Sequence, residues 1–214
     1  MTLQQRRVLL LRHGRTEWNA TGRFQGQLDS ALDVIGRAQA EAAAVAVAPM
    51  QPDALVSSDL SRTMDTARAV SAEIGLDVVP DKRLREIDLG SWQGLTRAEA
   101  RTRYPSEYAA WQAGSDARRG DGETYAEVGA RAVACIEEWL SSLGPGATLV
   151  AVTHGGTARA TIGTLLGLDP DLYWRLAPLG NCRWSLLTDI GRGWRLEEHN
   201  AGQPPAEETG DDAR

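Results

Sequence analysis

The sequence is poor in the residues that carry metal and thiol chemistry. Its 214 residues include two cysteines, Cys135 and Cys182, in unrelated contexts. That argues against a disulfide framework or a zinc site and sets a reducing cytoplasm as the expected compartment. There are three histidines, with no His-x-x-x-His or paired-cysteine spacing, so neither a metal nor any other cofactor is expected. Lysine occurs once, at Lys82, and the net charge is −6, which disfavours nucleic acid as a partner. No apolar run approaches the length of a membrane span, and the opening MTLQQRRVLLLRHG holds no small-residue cleavage site. Neither a membrane partner nor a signal peptide is expected. Cys135, among Val133, Ala134 and Ile136, reads as core and not as a thiol nucleophile.

What is present describes an ordinary globular chain, 42% apolar and 24% charged. The length suits one domain over residues 1–200, with a helical insertion or lid at about 91–123 and a polar tail, 201–214, expected to be disordered. Residues 6–12 read as a buried strand of a parallel sheet, with further strands at 54–57, 77–80 and 147–152. Helices are expected at 33–48, capped by Asp33 and stopped by Pro49, and at 60–74, ended by Gly75. Short helices at 96–103 and 106–112 fall in the insertion. A long helix follows from Thr124 to about Leu143, and another spans 156–166. Residues 182–189 and 193–199 read as an antiparallel edge hairpin. Strands alternating with helices define an α/β fold with three layers and a mixed, mainly parallel sheet.

Two histidines stand where apolar runs stop. LLLRHG (9–14) ends a strand on Arg12, His13 and Gly14, and LVAVTHGG (149–156) ends one on His154 and two glycines. In open α/β sheets ligands bind at the carboxyl ends of strands, so both histidines fall where one crevice would form. The Arg12 fork suits a phosphate or carboxylate, Gly14 leaves room for an anion to approach the backbone, and Thr16 adds a hydroxyl. Arg62 follows a strand ending in Ser57 and Ser58. Taken alone that stretch reads as helix capping by Ser58 or Asp59, with Arg62 on a solvated face. Glu86 sits between Leu84 and Ile87, where a carboxyl could serve as an acid near neutral pH, or could pair with Arg83 or Arg85. Gly155 and Gly156 would leave backbone N–H groups at a helix start for an anion, or form a turn around a core histidine.

The order of these elements is more specific than any one of them. LLRHGRTEWNATGRFQGQLDSALDVIG (10–36), the SSDLSR segment, LRE and THGG together resemble the histidine phosphatase superfamily, the phosphoglycerate-mutase-like fold. The resemblance implies that His13 takes the phosphoryl group as a phosphohistidine. It implies that Arg12, Arg62 and His154 bind phosphate oxygens, and that Glu86 is the general acid and then the base for water. Asn19, Gln25 and Gly26 match positions that line the pocket in relatives. Two arginines and a histidine can neutralise phosphate charge without a metal ion.

Within that family, Glu86 and His154 lie 68 residues apart, on the short side for a mutase, whose insertion is longer. A small-molecule phosphomonoester hydrolase is therefore expected, with a mutase-type phosphotransferase or a non-catalytic phosphate-binding protein as alternatives. FQGQLD, SSDL, LGSWQGLT and LGNCRW resemble the actinobacterial glucosyl-3-phosphoglycerate phosphatase group, which implies a sugar or glycerate phosphate as substrate. Arg15 stands where relatives often carry Glu or Gln. Arg118 and Arg119 could reach a second acidic group on the substrate, but read as solvated. Trp92 and Trp111 read as core or lid packing, and His199 as structural. A homodimer is expected only because dimers occur in the superfamily.

Overall fold

The computed structural model describes residues 5–202. In chain order the elements are β1 (Arg7–Arg12), α1 (Glu17–Ala20), α2 (Val34–Val47), β2 (Ala54–Ser57), α3 (Ser61–Ile74), β3 (Val78–Pro80), α4 (Arg97–Arg103), α5 (Pro105–Gln112), α6 (Tyr125–Ser142), β4 (Thr148–Thr153), α7 (Gly155–Leu165), β5 (Trp184–Asp189) and β6 (Trp194–Ala201), with short 3₁₀ turns between. The six strands lie in the order β3-β2-β4-β1-β5-β6. The pairs β2–β3, β2–β4 and β1–β4 are parallel, while β1–β5 and β5–β6 are antiparallel. This is the mixed, mainly parallel sheet expected.

The continuous apolar runs of β1 and β4 follow from burial on both faces. Val8 and Leu10 of β1 point to a core shared with Ala132, Cys135 and Ile136 of α6 and Ile162 of α7. Leu9 and Leu11 point the other way, onto Ala40 and Ala44 of α2 and Val70 of α3. The period of two thus assigns one helical layer to each face. Each such leucine, fully buried, contributes about 1.5–3 kcal/mol relative to an exposed one.

Cap chemistry sets most helix ends where the sequence places them. Asp33 accepts from the Gly36 N–H, Thr124 forms a capping box with Glu127, and Gly75 closes α3 in the left-handed region at φ 74°. Two expectations need correction. Helix α1 is too short to show a hydrophobic period and was not anticipated; it exists because Thr16 and Asn19 close a capping box on one turn. Neither Ser58 nor Asp59 caps α3, whose N-cap is Leu60 with no side-chain bond. Asp59 instead holds Arg85 in a two-pronged pair at 2.6 and 2.7 Å.

The 91–123 segment carries α4 and α5 over a third core, where Trp92, Tyr108 and Trp111 pack with Phe24, Ile87 and Tyr125. Phe24 and Trp111 meet edge to face, 5.6 Å between ring centres. His199 is held by Ser185 and the Ala177 carbonyl, a structural role. Of the tail expected to be disordered, residues 203–214 lie outside the described residues.

Candidate active site

The carboxyl ends of β1, β2 and β4 converge, and the side chains that follow them are buried. The backbone of His13 is clamped from both sides. Its N–H donates to Thr153 O at 3.0 Å, and its carbonyl accepts from Cys182 N–H and Asn181 Nδ2. The imidazole Nδ1 lies 2.7 Å from the Gly14 carbonyl. A carbonyl can only accept, so Nδ1 carries the proton and the Nε2 lone pair is the one available for attack. Burial first, then the charges of Arg62 and Arg12, hold this imidazole well below its ordinary range, so the ring is neutral at pH 7.

Arg62 is fully buried, which disposes of the solvated-face alternative. Its Nη1 and Nη2 donate to the carbonyls of Leu28 and Gly26, and its Nε donates to His154 Nδ1 at 3.2 Å. The proton of His154 therefore sits on Nε2, which donates to Ser58 Oγ at 2.9 Å. The two imidazoles are 5.2 Å apart, nearly edge to face. Burial, then Arg62, keeps His154 neutral too, so its contribution is a polar N–H and not a charge. Arg12 is buried beside them, with Nη1 donating to the Leu179 carbonyl.

Glu86 answers the two alternatives for its sequence with a third. Arg83 is turned to Asp81 and Glu138, and Arg85 to Asp59, so neither pairs with it. The buried carboxylate lies on the first turn of α7. It accepts from Gly156 N–H at 3.2 Å, Thr157 N–H at 3.0 Å and Thr157 Oγ1 at 3.1 Å, with Ile87 N–H at 2.8 Å. Of the two helix-start N–H groups expected to hold a phosphate, that of Gly156 thus holds the Glu86 carboxyl. The close approach explains Gly156, where a Cβ would fall 2.8 Å from Glu86 Oε1.

Two further readings are corrected. Gly14 serves packing: a Cβ there would sit 2.3 Å from the Gly36 carbonyl on α2, and its N–H donates to Thr66 Oγ1. The Thr16 hydroxyl is spent on α1 and its neighbours, within reach of Asn19 Oδ1 and Gln25 Oε1. Asn19 and Gln25 are both buried in the site wall, joined through Thr16. Gly26 adopts φ 52°, and a Cβ there would collide with Gln93. Arg15 turns to Asp33 at 2.8 Å. Arg118 is tied to Glu127 and the Gly122 carbonyl, but Arg119 is buried, contrary to the solvated reading.

Sequence reasoning missed Ser58, Leu179 and Asn181 as partners of the site. The LGN stretch that carries the last two was visible, but only as a likeness and without a role. Among the described residues no group of three or more His, Cys, Asp or Glu could hold a metal ion.

A mainly parallel α/β sheet thus brings a neutral, buried histidine and two buried arginines together at its strand ends, a set of side chains suited to an anionic ligand. The chain belongs to the histidine phosphatase superfamily, branch 1, whose family model matches residues 8–202. It is 39% identical to a protein of Mycolicibacterium vanbaalenii named glucosyl-3-phosphoglycerate phosphatase, over 93% of this chain and 96% of that one. The protein of that name from Mycobacterium tuberculosis is also 39% identical, with the same coverage. A solved structure of mycobacterial glucosyl-3-phosphoglycerate phosphatase with VO3 superposes with a TM-score of 0.87 at 39% identity, covering 92% of this chain and all of that one.

Proposed function

We propose that the protein hydrolyses a phosphomonoester in two steps through a phosphohistidine on His13. Nε2 attacks phosphorus, the bond to the ester oxygen breaks, and Glu86 gives that oxygen a proton. Water then attacks phosphorus, the P–N bond breaks, and Glu86 takes the proton from water as phosphate leaves. The observation that carries this reading is the Nδ1 to Gly14 carbonyl bond in a buried, neutral ring, which leaves Nε2 unprotonated and able to attack. Arg12 and Arg62 supply the positive charge that the phosphoryl oxygens gather in the transition state. The His154 N–H exchanges Ser58 for a phosphoryl oxygen, while its Nδ1 keeps Arg62 in place. Asn19, Gln25 and Gly26 form the wall against which the substrate rests.

The substrate of this reading is glucosyl-3-phosphoglycerate or a related sugar or glycerate phosphate, supported by the names of the similar proteins. Mutase-type transfer is the weaker reading, since the insertion between Glu86 and His154 is short. We place the enzyme in the cytoplasm. Both cysteines are free and buried, with thiols pushed up to about 12 by burial, and no described helix is long and apolar enough to cross a membrane.

Phosphate release from p-nitrophenyl phosphate in excess EDTA tests the reading. Wild type is expected to stay active, and His13→Ala to lose roughly a thousandfold or more. Loss of wild-type activity in EDTA, or its survival in His13→Ala, would overturn it.

A further inference from the structure

Arg85 and Asp59 meet in a two-pronged pair, Nε to Oδ1 at 2.6 Å and Nη2 to Oδ2 at 2.7 Å. The hydrogen bonds from Arg85 hold the Asp59 carboxyl below its ordinary value, so the pair is ionised at neutral pH. The two side chains are 30% and 21% exposed, and an ion pair so close to water adds little to stability. What such a pair supplies is geometry, since parallel bonds between two planar groups fix both distance and direction.

Both partners stand one residue from the reaction site. Asp59 follows Ser58, whose hydroxyl accepts from His154 Nε2, and the same turn leads into α3 and Arg62. Arg85 precedes Glu86. Its carbonyl accepts from Thr157 Oγ1 at 2.8 Å, and the same oxygen lies 3.1 Å from Glu86 Oε1. The pair therefore joins the turn that leads to the phosphate-binding groups to the turn that carries the acid. Other bonds grip the acid turn from different directions. Thr153 Oγ1 of β4 donates to the Leu84 carbonyl, Arg131 of α6 to the carbonyls of Arg83 and Glu86, and Gln27 Nε2 to the Glu86 carbonyl. The Asp59–Arg85 pair adds the tie to the β2–α3 turn, and a reacting group misplaced by about 1 Å can cost on the order of a hundredfold in rate.

We propose that Asp59, acting through Arg85, is a positioning residue that sets the Glu86 carboxyl against the leaving oxygen of a phosphate held by Arg62 and His154; this rests on the phosphomonoesterase reading above. Neither Asp59 nor Arg85 exchanges a proton with the substrate. Their contribution is the separation between the acid and the phosphate-binding groups.

The test compares kcat/KM for phenyl phosphate and p-nitrophenyl phosphate, which differ little in shape. Phenolate is a strongly basic leaving group that needs the proton of Glu86, whereas nitrophenolate leaves without one. This constant covers the steps up to the phosphohistidine, so the later role of Glu86 as a base does not enter it. Asp59→Ala is expected to lower the phenyl-to-nitrophenyl ratio of kcat/KM about tenfold, in the same direction as Glu86→Gln and by less. Arg85→Lys keeps the charge but not the two-pronged bond, and is expected to lose about as much. The double variant Asp59→Ala/Arg85→Ala should fall no further than Asp59→Ala alone. Asp59→Asn, which keeps the shape of the side chain, is expected to show a smaller loss in the same sense and serves where Asp59→Ala does not fold. An unchanged ratio in these variants, whether both esters lose alike or neither loses, would overturn the assignment while the phosphatase reading stands. A ratio unmoved by Glu86→Gln, or a wild type inactive on both esters, would overturn that reading, and the assignment with it.

Discussion

His13 can attack phosphorus only from a nitrogen that carries no hydrogen, and the Gly14 carbonyl decides which nitrogen that is. The same burial that sharpens this choice has a thermodynamic consequence. His13 and His154 are held neutral in the fold, with pKa values well below 6.5, while in the unfolded chain they titrate near 6.5. Below that pH the unfolded chain takes up two protons that the native site refuses. Stability is therefore expected to fall as pH drops from about 7 through 6.5 and below, by up to about 1.4 kcal/mol per pH unit for each histidine. Urea unfolding at pH 7.5 and 5.5 reads this directly. His154→Gln should flatten the slope by about one proton, and an unchanged slope would mean that His154 does not stay neutral in the native protein.

The first turn of α7 and the Leu84–Glu86 turn act as one device. Helix N–H groups and the Thr157 hydroxyl all donate to the Glu86 carboxyl, and in the proposed reaction the leaving oxygen needs a proton. Under the proposed mechanism Glu86 is the group that supplies it. Glu86→Gln keeps the acceptor oxygen and loses the transferable proton. Turnover of an alkyl phosphate should drop by roughly a hundredfold or more, and the limb of the pH–rate profile that Glu86 sets should vanish. p-Nitrophenyl phosphate should suffer less, because nitrophenolate leaves without a proton. The same limb in the variant would show that another group is the acid.

Over the whole molecule, legibility followed periodicity and punctuation. The continuous apolar run of β1 and the caps Asp33, Thr124 and Gly75 placed the elements, because burial and backbone valence act locally there. That His13 and His154 fall at one set of strand ends was legible in the chain, and the grouping of Arg12, Arg62 and Glu86 with them came from the family resemblance. Their bonds were not legible. That Gly14 faces Gly36, that Glu86 takes the α7 N–H groups, and that Arg119 is buried are all facts of residues far apart in sequence brought together by packing. Helix α1 escaped because one turn shows no period.

The central claim is that a phosphoryl group passes through His13. Mixing the enzyme with substrate, quenching in alkali and mapping the phosphorylated peptide by mass spectrometry tests it most directly. The account predicts an acid-labile, alkali-stable phosphoryl group on the His13 peptide that decays at the rate of turnover and is absent from His13→Ala. A phosphorylated peptide elsewhere, or turnover of p-nitrophenyl phosphate by Glu86→Gln with no trapped intermediate, although there the P–N bond still forms without a proton donor and only its hydrolysis is slowed, would contradict it.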